Sequence, residues 1–396
     1  MTGTPDFLQE AQKIKDEIIQ LRRTIHQHPE LGQTETETQK LVEAYLRKLG
    51  ITTRRIAGTG VLGLLEGGKP GTTVGLRADM DALKIQERTG VPYASRRPGI
   101  MHACGHDCHT AGLLGAAKLL AAAKADVPGN VKFFFQPDEE GSGGAAPMIA
   151  AGGLENPQVT AMFGAHVNSG IPAGYVGMRP GKYYAASNPF DITIRGVGAH
   201  GAHPDLGVDA IAVACQAVGA LQLCISRETD PVDAALISVC TFHAGNQRNA
   251  LADEAVLTGI IRTLDPKTRI KTVAAVRRIV DGIAGSFGAT AEINIHEGYP
   301  GLINDPAMTE LARRSVGALL GEDKLFPITQ PSLGTEDFGI FLEHVKGCFY
   351  QIGVANPAKT PTVSLHNSEF NVDEDALPIL SAAHSQVAWD YLLSAI

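Results

Sequence analysis

Basic residues never cluster in this chain of 396 residues, and acids outnumber them to leave a formal charge of −8, so a partner bound through its phosphate backbone is excluded. Charged residues make up 19% and aromatics 6%, with one tryptophan, yet the 44% hydrophobic content is that of an ordinary globular protein and argues against disorder. No stretch reads as the roughly 18 consecutive apolar residues that a membrane span requires. Residues 1–30 carry alternating charges in a helical pattern where a signal peptide would have an apolar stretch. No membrane association is expected, and a cytoplasmic location is. The six cysteines, at 104, 108, 215, 224, 240 and 348, lack the spacing of a small disulfide scaffold, and four lie within apolar helix or strand patterns, so reduced thiols are expected.

What is present is α/β material. A chain of this length is more than one hydrophobic core usually holds, which favours two compact units. Apolar positions recur at helical spacing over 6–28 and 34–49, the second opening at Thr34–Glu37 in the manner of a capping box. Short β-branched or aromatic runs follow at 60–65, 72–76, 130–135 and 159–163, separated by helical patterns near 107–124 and 143–151. This alternation predicts an α/β fold with a doubly wound, mostly parallel sheet. From Asn188 the order changes to strand 190–195, helix 208–227, strands 235–242 and 254–263, helix 267–286 and strand 290–296, a ferredoxin-like βαββαβ unit. The chain then resumes α/β character, with helices near 306–320 and 336–344, a strand at 347–353 and a last helix over 374–393. The expected layout is a discontinuous domain, 1–186 and 299–396, interrupted by an inserted one, 187–298.

In doubly wound sheets, functional groups collect at the carboxyl ends of strands. The first of these strands to matter runs into Arg77-Ala78-Asp79-Met80-Asp81, the next into Gln136-Pro137-Asp138-Glu139-Glu140-Gly141, and the third into Gly164-Ala165-His166. Between the first two lies Met101-His102-Ala103-Cys104-Gly105-His106-Asp107-Cys108-His109, which leads into a helix through Asp107, a good N-cap residue. Each group alone has a bland reading: a turn aspartate, a solvated pair of glutamates, a satisfied core histidine. Their convergence on one rim is what points to a site. A cysteine two residues before a histidine, with Gly105 allowing a tight loop, can bring thiolate and imidazole to one metal, or a thiolate between two. Of the adjacent glutamates, the economical arrangement has one ligating and the other facing water. Hydroxide generated at the metal then attacks a carbonyl carbon while that second glutamate carries the proton to the leaving nitrogen, which is amide hydrolysis. Thiolate with imidazoles favours zinc, and the carboxylates also admit manganese, cobalt or nickel.

The runs Arg23–Leu31, Arg77–Leu83, Met101–Thr110, Phe135–Gly141, Gly164–Val167 and Gly198–Pro204 resemble the hippurate hydrolase, N-acyl-amino-acid amidohydrolase and auxin-conjugate hydrolase branch of the aminoacylase superfamily, over nearly the whole chain. The resemblance implies a catalytic domain with two divalent metal ions per subunit, zinc or manganese, and an inserted dimerisation or lid domain, hence a homodimer or dimer-based oligomer. The implied substrate is a small N-acyl or N-aroyl amino acid, hydrolysed to a carboxylic acid and a free amino acid. By motif position Cys104, His106, Glu140, His166 and His366 become the metal ligands, Glu139 the general base, and Asp81 the acid that orients a ligand, with Asp79 a close competitor. His200, within Gly198–Pro204, would reach across a dimer to the scissile carbonyl, and Asn249 and Arg262 would grip a substrate carboxylate. From the residues alone, the alternative is that Asn249 merely caps a turn and Arg262 pairs with an acid; His109 and His203 are assigned supporting or structural parts. Two departures from the family pattern fall near the site: Lys84, where proline is common, and Val167-Asn168-Ser169, where an aromatic commonly follows the valine. Specificity therefore does not carry over from any relative. A metal-dependent dipeptidase or carboxypeptidase is the neighbouring alternative, and a non-catalytic metal-binding protein a remoter one, against which Glu139 beside Glu140 counts.

Overall fold

The apolar runs that alternate with helical patterns become neighbouring strands. In the computed structural model, which describes residues 4–360 and 363–395, one unit runs to Gly181 and takes in Asn304–Thr329 and the chain from Ile340 on. Its sheet contains β1 (Thr52–Ile56), β2 (Gly60–Glu66), β3 (Lys69–Asp79), β4 (Pro128–Gln136), β5 (Val159–Pro172) and β6 (Val176–Met178). β7 (Gly181–Tyr184) and β12 (Leu302–Asn304) pair with each other as a separate two-stranded sheet. With β13 (Leu325–Pro327) and β14 (Lys346–Ala355), the order of the large sheet is β1-β2-β4-β3-β5-β14-β6-β13.

The centre of that sheet, β4-β3-β5-β14, is parallel, whereas β1, β2 and β4 pair antiparallel, as do β14 and β6. β6 and β13 are parallel again, so the sheet is mixed, with four of its seven pairings parallel as expected and the antiparallel ones at β1-β2-β4 and β14-β6. The physical reason at β1-β2 is connection length: three residues between β1 and β2 can only turn a hairpin, since a parallel partner needs a crossover of about a dozen residues or more. Phe133, Phe134 and Phe135 are all buried, as befits a strand covered on both faces. The helices His106–Ala122 and Ala376–Ser394 are apolar around nearly their whole circumference and buried accordingly.

The second unit, Lys182–Ile303 with Gln330–Gly339, holds β8 (Ala186–Arg195), β9 (Ala235–Ala244), β10 (Glu254–Thr263) and β11 (Thr290–Ile295) in the antiparallel order β11-β8-β10-β9. With helices Ala210–Leu223 and Pro266–Ser286 inserted between strands, this is the βαββαβ arrangement expected. Asp209 and Asp265 cap the two helices, each carboxylate accepting the N–H groups two and three residues ahead. The core joins Ile192, Ile194, Leu257 and Ile261 of the sheet to Val213, Leu221, Val276 and Val280 of the helices. The unit begins before residue 187 and ends after 298, and it adds Gln330–Gly339, where the Gly334 carbonyl accepts the Ala185 N–H at 3.0 Å.

Several local expectations need correction. The pattern over 6–28 is two helices, Phe7–Lys13 and Lys15–Gln27, broken at Ile14. Thr34 does not cap the next helix, Thr36–Lys48: its hydroxyl donates to the Leu31 carbonyl at 2.7 Å, and the buried Glu30 carboxylate takes the Glu37 and Thr38 N–H groups instead. Asp107 is not an N-cap either. Gly105 holds that position, and the Asp107 carboxylate is drawn inward, where Oδ2 accepts from Arg22 Nε at 2.7 Å and lies 2.8 Å from His26 Nδ1. Finally, among the described residues one helical stretch, Ala210–Glu228, is long and apolar enough to cross a membrane by length and composition, with mean hydropathy 1.5. It is interrupted only by Gln216, Gly219, Gln222, Ser226, Arg227 and Glu228, and its buried positions Ala210, Val213, Ala214, Ala217 and Leu221 repeat at helical spacing.

Candidate active site

Strand register delivers the rim. Asp79 of β3 pairs with Gln136 of β4, and Arg77 with Gly164 of β5, so the residues just beyond these pairs, Asp81, Glu139, Glu140 and His166, emerge at one edge of the sheet. Cys104 and His106 arrive from the loop that starts the helix His106–Ala122. That loop turns at Gly105, with φ 85°, where a Cβ would lie 2.4 Å from Val167 Cγ2; only glycine fits both conditions. His366 arrives from 262 residues beyond Cys104 and is pinned by its own N–H, which donates to the Ala103 carbonyl at 2.8 Å.

The result is a compact donor set. Cys104 Sγ stands 3.4 Å from His166 Nε2 and 3.3 Å from His366 Nε2, and His366 Nε2 is 3.0 Å from Glu140 Oε1. Ligand atoms of Cys104, His106 and His166 lie within 4.8 Å of one another, as do those of Cys104, Glu140 and His366, and those of His106, Glu139 and Glu140. Cys104 belongs to the first two sets, the arrangement a thiolate shared by two cations requires. His106 Nε2 is buried without a hydrogen-bond partner, which costs roughly 1–3 kcal/mol unless something takes it up. Sulfur, imidazole and carboxylate donors around an orphaned nitrogen fit divalent metal ions.

The electrostatics agree. Burial opposes the charged imidazole of His106, but Asp79 and Asp81 outweigh it and hold the ring at a pKa of about 10; the same negative field favours a bound cation. Burial likewise opposes ionisation of Glu140, yet His366 and His106 bring it down to about 2. Burial, helped by His109, lowers His166 to about 3, so it is neutral; its Nδ1 faces the Val167 carbonyl at 2.7 Å and carries the proton, leaving the Nε2 lone pair toward Cys104. The Cys104 thiol is pushed well up, first by burial and then by the charges of Glu140 and Glu139, so a cation binding there must displace its proton.

The two aspartates separate by contact. Asp81 Oδ1 is 3.2 Å from His106 Nδ1 and its Oδ2 accepts the Glu140 N–H at 2.9 Å, joining a proposed ligand to the backbone of another. Asp79 is engaged instead by Arg77 Nη1 at 2.7 Å and His109 Nδ1 at 2.5 Å, and reaches His106 Nε2 only at 3.6 Å. His109 in turn accepts the Val167 N–H at 2.9 Å, so it braces the strand that carries His166. Arg77, fully buried at the end of β3, was not singled out from the sequence; the available signal was a charged residue inside a strand otherwise covered on both faces.

In the second unit, His200 is exposed, with its Nδ1 accepting the Ala202 N–H at 3.1 Å, and it forms a bridge with Ala250. Asn249 is therefore its neighbour, and the Asn249 carbonyl accepts the Gly201 N–H at 2.7 Å. His203 stacks loosely, 5.6 Å from His200 between ring centroids. Arg262, in β10, has Nη1 buried without a hydrogen-bond partner, burial lowers its pKa, and no acid pairs with it among the described residues. Of the two departures from the family pattern, Lys84 is exposed, whereas the Asn168 amide donates to Gln351, which pairs across the sheet with His166.

Compared with known proteins, residues 75–390 match peptidase family M20/M25/M40. The thermostable carboxypeptidase 1 of Saccharolobus solfataricus is 41% identical over 384 residues, 96% of either chain. The N-acetyl-L-cysteine deacetylase of Bacillus subtilis is 38% identical over 92% of this chain and 85% of its own. Among solved structures, that of the Bacillus subtilis YXEP protein, a dinuclear metal binding peptidase from the M20 family, has a TM-score of 0.85 at 33% identity and covers 97% of this chain and 100% of its own.

Proposed function

The chain belongs to peptidase family M20/M25/M40, and from that premise we propose that it hydrolyses the amide bond of N-acyl or N-aroyl amino acids, releasing a carboxylic acid and a free amino acid. The observation that carries this reading is Cys104 standing between His166 and His366, in two overlapping donor sets, next to a pair of adjacent glutamates. In the proposal Cys104, His106 and His166 hold one divalent ion, and Cys104, Glu140 and His366 the other; zinc or manganese suits the donors, with cobalt or nickel also admitted. When bound, such ions polarise the substrate carbonyl and make water acidic enough to lose a proton near neutral pH.

The protein's own groups do the remainder. Glu139 takes the proton from the attacking water and returns it to the departing nitrogen. Asp81 holds His106 by Nδ1, so that Nε2 is the nitrogen presented as a donor. Arg262, with an unpartnered buried Nη1, grips the substrate carboxylate together with Asn249. His200 polarises the scissile carbonyl from a second subunit of a homodimer, or of an oligomer built from dimers. Support for dimerisation comes from Ala210–Glu228, only 33% buried for so apolar a helix, and from β9, an edge strand of its sheet. On this reading the first unit, read from the sequence as 1–186 and 299–396, is the catalytic domain, and the second, read as 187–298 and bounded in the structure as Lys182–Ile303 with Gln330–Gly339, is the dimerisation or lid domain. Six free cysteines support a cytoplasmic location.

The similarity to a carboxypeptidase favours one alternative, cleavage of peptides. A hydrolysis panel separates the two: acetyl, benzoyl, phenylacetyl and indoleacetyl groups joined to glycine, glutamate, glutamine, cysteine and aromatic amino acids, beside simple dipeptides. Turnover of acyl conjugates is expected. Cleavage of dipeptides with every conjugate refused would replace the proposal with the peptidase reading.

A further inference from the structure

The loop that carries Glu139 and Glu140 owes its shape to groups outside the donor set. Asp138 sits in the left-handed region, with φ 57°, a conformation that costs a non-glycine residue about 1 kcal/mol or more. Its N–H donates to Glu35 Oε1 at 2.9 Å, and Thr59 donates its hydroxyl to the other oxygen, Glu35 Oε2, at 2.5 Å. The Asp138 carboxylate folds back over the loop, Oδ2 accepting the Ser142 N–H at 3.2 Å and its hydroxyl at 2.5 Å. The fold-back needs Gly141, where a Cβ would fall 2.1 Å from Asp138 Oδ1. On the other side of Glu139, the Glu140 N–H is held by Asp81 Oδ2. The amides flanking Glu139 on either side are thus each captured by a buried carboxylate from a different segment of the chain.

Glu35 is oddly spent for its position. It stands at the N-cap of the helix Thr36–Lys48, where an acidic side chain ordinarily serves its own helix, but it makes no such bond. Glu30 serves that helix, and Glu35, 0% exposed, is directed to the loop instead. Burying a carboxyl is expensive unless its bonds secure something, and what these bonds secure is the turn before Glu139.

We propose that Glu35, oriented by Thr59, is a positioning residue that sets the Glu139–Glu140 loop for metal binding and proton transfer. The proposal rests on the roles given to those two glutamates above. Without the Glu35 acceptor the Asp138 N–H is left unsatisfied in a strained conformation, the turn relaxes, and both carboxylates shift; displacements near 1 Å cost about 100-fold in rate when groups must be aligned.

The test compares Glu35→Ala, Glu35→Gln and Thr59→Val with the parent in two ways. One is kcat and KM on whichever N-acyl amino acid the parent turns over best. The other is titration of metal-stripped protein with Co²⁺, following the thiolate-to-cobalt absorption band for affinity and shape. Glu35→Ala is expected to lower kcat and Co²⁺ affinity each by about 10- to 100-fold, with KM little changed. Glu35→Gln, which keeps an oxygen for the Asp138 N–H, should recover most of both, and Thr59→Val should fall between. A folded Glu35→Ala protein with the parent's kcat and Co²⁺ affinity overturns the proposal, as does a glutamine variant no better than alanine. If Glu35→Ala fails to fold, parent values in Thr59→Val overturn it. Should the parent hydrolyse no member of the panel, the functional reading fails by itself, and the Co²⁺ titrations still decide for or against the loop.

Discussion

At the scale of single residues, the two adjacent glutamates divide by surroundings. Glu140 faces His366 and His106 and is ionised against its burial, whereas Glu139, 7% exposed, lies on a loop whose flanking amides are both captured. Glu139→Gln should therefore lower kcat by about 10²- to 10⁴-fold while leaving metal content, measured by elemental analysis, unchanged; parent turnover in that variant would remove Glu139 from the mechanism. Glu35 supports a second expectation. Burial raises its carboxyl to about 7, above the unfolded value, so the native state binds a proton more tightly than the unfolded chain does. The stability this contributes is fully present below the unfolded pKa and is lost as pH rises through about 7. Thermal melts of metal-stripped protein between pH 4.5 and 8 should thus show a shallower decline for Glu35→Gln than for the parent; identical slopes would contradict it.

Legibility at this scale followed chemistry at chain turns. Asp79, Asp81, Glu139, Glu140 and His166 stand where strands end, and Cys104 and His106 stand where a helix begins, so a reader of the sequence can collect them. His366 has no such marker: it is held beside Cys104 by one backbone hydrogen bond across 262 residues, and only a family resemblance pointed to it. Glu35 and Asp107 were missed or misread because a buried charge announces itself through its partners, and theirs are distant in sequence, whereas Arg77 pairs with Asp79 only two residues on and was hidden by lying inside a strand.

At the scale of elements, periodicity was a good guide to what forms and a poor one to how it is capped. The strand Glu254–Thr263 alternates buried and half-buried residues along its whole length, and the helix Pro266–Ser286 opens on Asp265 followed by proline, both plain in the sequence. By contrast, the caps at Thr34 and Asp107 were misread because a better acceptor, Glu30, and a buried cation, Arg22, lay nearby in space. Asp265→Ala removes a cap that serves two amides together with an ion pair to Lys182, and should cost about 1 kcal/mol, read as a fall in the melting temperature. An unchanged melt would mean that the cap is redundant.

At the scale of the molecule, the donor set couples folding to metal. Ions that bind the native protein and not the unfolded chain raise its stability by mass action, so chelation should lower the melting temperature and abolish hydrolysis, and added divalent metal should restore both. Full activity in protein shown to be metal-free by elemental analysis would end the metallohydrolase reading. The exposed apolar helix makes a separate prediction. Leu223, 61% exposed, lies on it, and Leu223→Glu should shift the mass seen by light scattering from dimer to monomer without unfolding the protein. A parent that is strictly monomeric would rule out the dimer.

What the sequence by itself determined was the kind of chemistry and the succession of elements: thiol, imidazoles and acids at strand ends, a βαββαβ run inside an α/β chain, and the motifs of a hydrolase family. These are local properties, written in residue type and spacing over a few tens of residues. Which aspartate serves His106, what holds the Glu139–Glu140 loop, where His366 comes to rest and which distant strands become neighbours in the large sheet were decided by tertiary structure alone. The reason is common to all four: each depends on hydrogen bonds and strand pairings between segments far apart in the chain, formed only when the core has closed around them.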